Sequence, residues 1–166
     1  ATARDTSRKM LAIEPLNRFA LTTLERIERA AGDWDAVEEV LAKKLEATPA
    51  EAARVRILID RAEVAVQHRN RPDQAIEHLL EADKLWGSGP GPEELVKGLE
   101  ALLRSEAGVR RRAARALEKR YRPRAAWQPL INALLIELVA SPDAGERFAL
   151  ATQAAHQILK QGGTAV

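Results

Sequence analysis

Residues 15–49 read PLNRFALTTLERIERAAGDWDAVEEVLAKKLEATP, and this stretch decides the fold. Leu21, Leu24 and Ile27 recur at three-residue steps, which places them on one face of a helix with 3.6 residues per turn. Gly32 follows where a helix commonly ends on a left-handed residue. Asp33 stands where a side-chain oxygen can accept from the first free N–H groups of the next helix. Val37, Val40, Leu41 and Leu45 carry the helical spacing on to Ala47. Thr48-Pro49-Ala50-Glu51 then reads as a capping box with proline at the first helical position. The stretch is a pair of amphipathic helices joined by a tight turn.

The same spacing extends in both directions. Residues 3–14, with Met10, Leu11 and Ile13, form a helix that stops before Pro15, because the residue before a proline is pushed out of helical geometry. A helix from about residue 50 to Arg69 carries Val55, Leu58, Ile59, Ala62 and Val66. Pro72-Asp73 opens another, with Ile76, Leu79, Leu80 and Leu85, that ends near Trp86. Gly87-Ser88-Gly89-Pro90-Gly91 interrupts the series, and Pro92-Glu93-Glu94 restarts it with acids in the first turn, where the helix dipole favours them. Residues 109–122 form a basic helix and 125–140 a strongly apolar one. Ser141-Pro142 caps a last helix bearing Phe148, Ala151, Ala155, Ile158 and Leu159, which Gly162-Gly163 stops. The spacing predicts an all-α chain of eight or nine helices.

Composition agrees. Of 166 residues 46% are hydrophobic, 31 are alanine and only 4% are aromatic, which suits closely packed helices and starves a β-sandwich. The absence of cysteine excludes disulfides, thiolate zinc sites and cysteine nucleophiles. No run reaches the roughly 18 apolar residues a membrane span needs; the longest, near 130–140, is broken by Asn132 and Glu137. The opening Ala1-Thr2-Ala3-Arg4-Asp5 has no apolar signal-peptide core, so a cytoplasmic location is expected. The lack of an initiator Met fits a processed chain or a piece of a longer one.

The residues that could carry chemistry do not assemble into a known pattern. Gly87–Gly91 follows a helix rather than a strand, contains a proline and lacks a nearby lysine, so it reads as a linker and not as a phosphate loop. His78 has Glu77 and Glu81 at hand, but no second histidine one turn away, and His68 sits near a helix end. His156 has no metal-ligand pattern around it. Ser7, Ser88, Ser105 and Ser141 read as cap or loop residues, and Glu38-Glu39 and Glu93-Glu94 diverge by roughly 100° on a helix. Trp34 and Trp127 open helices and can pack on the preceding one, while Trp86 plugs a helix end. Thr164-Ala165-Val166 has the form of a C-terminal peptide ligand, as many endings do by chance. No catalytic residue, metal or cofactor is expected.

Pro15 and Pro49 lie 34 residues apart, each closing one helix pair and opening the next. With Leu21, Leu24, Gly32, Val37 and Leu41 between them, the unit resembles a degenerate tetratricopeptide repeat. Where that family carries small or aromatic residues, this chain has Glu25, Glu28 and Lys44. The resemblance implies a right-handed array of antiparallel helix pairs over residues 1–86, a Gly/Pro linker at 87–91 and less regular repeats over 92–166, as one continuous solenoid. It also implies a protein-binding groove lined by first helices: Phe19, Thr22, Arg26 and Arg29 from one unit, Arg56, Asp60 and Glu63 from the next. The expected function is a non-enzymatic interaction or scaffold module, part of a larger protein or assembly.

One further feature is electrostatic. Arg104 to Arg124 holds nine basic residues against Glu106 and Glu118, while the whole chain carries only +2. On the helix 109–122, Val109, Ala113, Ala116, Leu117 and Tyr121 make the buried stripe. Arg111, Arg115, Lys119 and Arg122 make one exposed ridge, with Glu118 within reach of Arg115 and Arg122. That ridge is a solvated face, a site for an acidic protein surface or, as an alternative function, a nucleic-acid contact. A self-stacking subunit that oligomerises through the solenoid ends is the other alternative, because the apolar helix 125–140 needs cover on two faces.

Overall fold

A computed structural model of the chain describes residues 2–162. It contains nine α-helices and no strand among those residues. The chain divides into two compact units, Ala1–Trp86 and Gly87–Val166.

The first unit holds α1 (Ala3–Ile13), α2 (Arg18–Ala31), α3 (Trp34–Glu46), α4 (Glu51–Gln67) and α5 (Pro72–Trp86), each packed against the next in the chain. Gly32 turns α2 into α3 in the left-handed region, φ 71°, and the Asp33 carboxylate accepts from the Ala36 N–H at 3.2 Å. Asn70, φ 50°, makes the corresponding turn between α4 and α5; asparagine tolerates that conformation better than most residues. Leu21, Leu24 and Val40 form one buried cluster with Leu11 and Ala47 against it, and Val37, Leu41 and Val64 form another. Apolar helix stripes buried on both neighbours stabilise such a stack, at about 25 cal/mol per Å² removed from water.

The junction between α3 and α4 departs from the expected capping box. Ala50 is the N-cap of α4 and no side chain caps it. The Thr48 hydroxyl instead donates backward to the Lys44 carbonyl at 2.6 Å. Arg18 and Arg54 take the neighbouring carbonyls of Ala47 and Leu45, so three side chains satisfy the end of α3. Ser7 also differs from its reading as a cap: it lies inside α1 and is buried.

The second unit holds α6 (Glu93–Ala101) with a 3₁₀ turn (Leu102–Arg104), α7 (Ala107–Tyr121), α8 (Trp127–Ala140) and α9 (Ala144–Gly162). Again each α-helix packs on its chain neighbour. The expected stripe of α7 is buried in full: Val109, Ala113, Ala116, Leu117 and Tyr121. The Gly87–Gly91 stretch is tied down within this unit. Gly87, Gly89 and Gly91 have positive φ; Arg120 of α7 donates to the Gly89 carbonyl (2.9 Å), and Arg124, just beyond α7, to that of Gly91 (2.9 Å). The cap of α9 is Asp143, whose carboxylate accepts from the Glu146 N–H at 2.6 Å; Ser141 turns to the Glu146 side chain instead.

The last helix turns its stripe the other way from expectation. Leu150 and Ala154 are buried, whereas Phe148, Ala151, Ala155, Ile158 and Leu159 all face solvent. Among the described residues no helix is long and apolar enough to cross a membrane.

Candidate functional site

The expected groove residues lie on α2 and α4 of the first unit. Arg29 reaches across to Asp60, one guanidinium nitrogen donating to both carboxylate oxygens at 2.7 Å, a charge-assisted contact that ties the two helices together. Arg29 also donates to Glu25, and Glu25 accepts from Lys44 of α3 at 2.6 Å. The alternating chain Lys44–Glu25–Arg29–Asp60 thus links three helices. Around it Thr22, Arg26, Arg56 and Glu63 are exposed, and Phe19 is 73% exposed. Arg26, Arg56 and Glu63 make no hydrogen bond or ion pair with any described residue. Arg29 and Asp60 are thus paired with each other, and the other five side chains are exposed beside them.

Two more ionic groups brace the frame from behind. Glu28 is fully buried and accepts from both Arg4 and Arg8 of α1. Glu38 of α3 meets Arg61 of α4, at 2.6 Å, and His78 of α5, 3.4 Å away. Burial works against the Glu38 charge, but the His78 and Arg61 hydrogen bonds outweigh it and hold the carboxyl below its ordinary range. His78 thus ties α5 to α3. Among the described residues no three potential ligands converge on a metal position.

Sequence reasoning missed a polar cleft of about 340 Å³ at the other end of the same helices, lined by Gly32, Asp33, Trp34, Asp35, His68, Arg69 and Arg71. Trp34 stacks on the His68 ring with centroids 3.4 Å apart and planes within 2°, and packs against the Val37, Leu41 and Val64 cluster. Arg69 bonds Asp35 at 2.8 Å. The signal was present as spacing, since both contacts join residues 34 apart, but nothing in either residue type announces it.

The basic helix α7 belongs to the second unit. Where the sequence suggests an exposed ridge with only Glu118 near it, the structure pairs three of the four. Arg111 and Arg115 share Glu146 of α9, Arg115 also reaches Glu137 of α8 at 3.3 Å, and Arg122 holds Glu118 and Gln153. Lys119 alone of the four is exposed without such a pair. Ser141 and the two arginines hold the Glu146 carboxyl below its usual range, against burial. Glu137 behaves oppositely: burial, with the Glu118 charge, pushes it up against the pull of Arg115, and its Oε1 has no partner. Tyr121 donates to Glu100 at 2.7 Å, and burial with that bond raises its phenol. The Thr164–Val166 ending lies outside the described residues.

No protein family, no curated protein and no solved structure matches the chain.

Proposed function

We propose that the first unit is a protein-binding module without catalytic activity of its own, its helix pairs being degenerate repeats of the tetratricopeptide kind stacked as a right-handed solenoid. One observation carries the reading. The Arg29–Asp60 contact fixes α2 against α4, and the face beside it exposes Phe19, Thr22, Arg26, Arg56 and Glu63, whose charged members have no partner among the described residues. A large apolar anchor beside uncompensated charges on rigid helices is the composition of an interface hot spot. The nucleic-acid alternative draws less support, because Arg111, Arg115 and Arg122 are each already paired with acids of their own unit. A cytoplasmic setting fits this role.

The test is site-directed photo-crosslinking in extract of the source cells, with the reactive residue at Thr22 or Glu63 on the face and at Lys43 on α3 as control. A discrete adduct at Thr22 and Glu63 that is missing at Lys43, and that disappears with Phe19→Ala/Arg26→Ala/Arg56→Ala, is the expected result. Equal labelling from Lys43 would overturn the proposal.

A further inference from the structure

Surface helices normally turn charges outward and apolar residues inward. On α9 the order is inverted. Its charged residues among those described are Glu146, Arg147 and Lys160, and the second unit itself holds all three. Glu146 is taken by Ser141, Arg111 and Arg115; Arg147 donates to the carbonyls of Ser141 and Pro142; Lys160 sits 5.8 Å over the Trp127 ring. The outward side is left with Phe148 (76% exposed), Ala151, Thr152, Ala155, Ile158 (52%) and Leu159 (75%). At 100° per residue these six share one side of the helix, opposite buried Leu150 and Ala154. From 148 to 159 that side carries no charge.

We infer that this face of α9 pairs with the same face of a second copy of the chain, the two helices antiparallel about a two-fold axis. The occupant must be apolar, uncharged and helical in outline, and α9 itself has that surface. The residue sizes are self-complementary: bulk at each end, in Phe148 and in Ile158 with Leu159, and small side chains between. Antiparallel pairing sets Phe148 of one copy against the Ile158–Leu159 end of the other. Ala151 and Ala155 then lie near the axis and allow the backbones to approach closely. Opposed helix dipoles favour this direction over the parallel one. A two-fold axis also makes the contact closed, so it yields a dimer rather than a filament. Even complete cover of the six side chains in both copies removes roughly 1,000 Å² from water, the small end of interface sizes, so a weak, reversible dimer is expected. The contact is independent of the groove on the first unit.

Sedimentation velocity of the full chain over about 1–200 µM, a range chosen to bracket that strength, reads the association. The wild type should pass from monomer to dimer, and Phe148→Glu/Leu159→Glu should stay monomeric at every concentration with unchanged helical circular dichroism. Because the chain has no cysteine, single-cysteine variants give the direction. Under oxidation Phe148→Cys mixed with Leu159→Cys should form the mixed disulfide dimer, and either variant alone should not. A wild type that stays monomeric to the highest concentration, a dimer indifferent to the double Glu variant, or self-linking of Phe148→Cys alone would each overturn the inference.

Discussion

Replacing Glu137 by Gln should stabilise the second unit above pH 4.5 and do nothing below it. The side chain is 1% exposed on the most apolar helix of the chain, and one of its oxygens has no hydrogen-bond partner. An ionised carboxylate held in such surroundings costs more than a neutral amide, by about 1–3 kcal/mol, while the unpaired atom persists in either side chain. Against this stands the 3.3 Å contact with Arg115, whose side chain is more than half exposed, so that screening limits the contact to under about 1 kcal/mol. The balance is about 1 kcal/mol in favour of the neutral amide, or roughly 4–8 °C in a unit of this size. The pH dependence carries the sign. Burial raises the folded-state pKa above its ordinary value of 4.5, so the folded chain keeps its proton to higher pH than the unfolded chain does. Stability therefore falls as pH rises from 4.5 through the raised value, and Gln, which does not titrate, should remove that slope. Glu146 is shifted downward, so its contribution is lost only as pH falls below 4.5 and leaves the window clean. In a Trp34→Phe/Trp86→Phe background, Trp127 alone reports on the second unit, and its thermal unfolding can be followed between pH 4 and 9. A lower midpoint for Glu137→Gln at pH 8, or a slope above pH 4.5 that survives the substitution, would refute the reasoning.

Three other outcomes follow from local geometry. Ala125 sits at φ 50°, where a β-carbon is strained, so Ala125→Gly should raise the unfolding free energy by about 0.5–1 kcal/mol despite the greater freedom of glycine in the unfolded chain. Gly91, at φ 73°, has the buried Arg120 side chain 3.3 Å from where a β-carbon would lie; Gly91→Ala should cost about 1–2 kcal/mol by the same melt. A double-mutant cycle on Arg29→Met and Asp60→Asn should give a coupling of about 1 kcal/mol at low salt, reduced for partial exposure and shrinking as salt is added; zero coupling would remove this contact from the frame of the groove.

The helices were legible because their signals are local. Leucine spacing, Gly32 and Asp33 act within one or two turns, and the α2–α3 pair stands where residues 15–49 place it. What was not legible depends on partners distant in the chain. On α7 the local partner Glu118 was legible, but Glu137 and Glu146, which hold Arg111 and Arg115, lie 22 to 35 residues downstream. The outward stripe of α9 reads as core because periodicity finds an apolar face but does not say which side another helix covers. Thr48 looks like a cap until the Lys44 carbonyl competes for its hydroxyl. The repeat resemblance singled out both Arg29 and Asp60 but not that they bind each other. Glu25, Glu28 and Lys44, the departures from the repeat pattern, are the positions where ion pairs between helices replace apolar packing.

The parallel rings of Trp34 and His68 give the first unit an optical label of its own. An imidazole in van der Waals contact with an indole quenches its emission. Trp34 fluorescence therefore reports whether the end of α4 is seated against the start of α3. Local opening of that corner becomes visible as recovered brightness before any helix has melted.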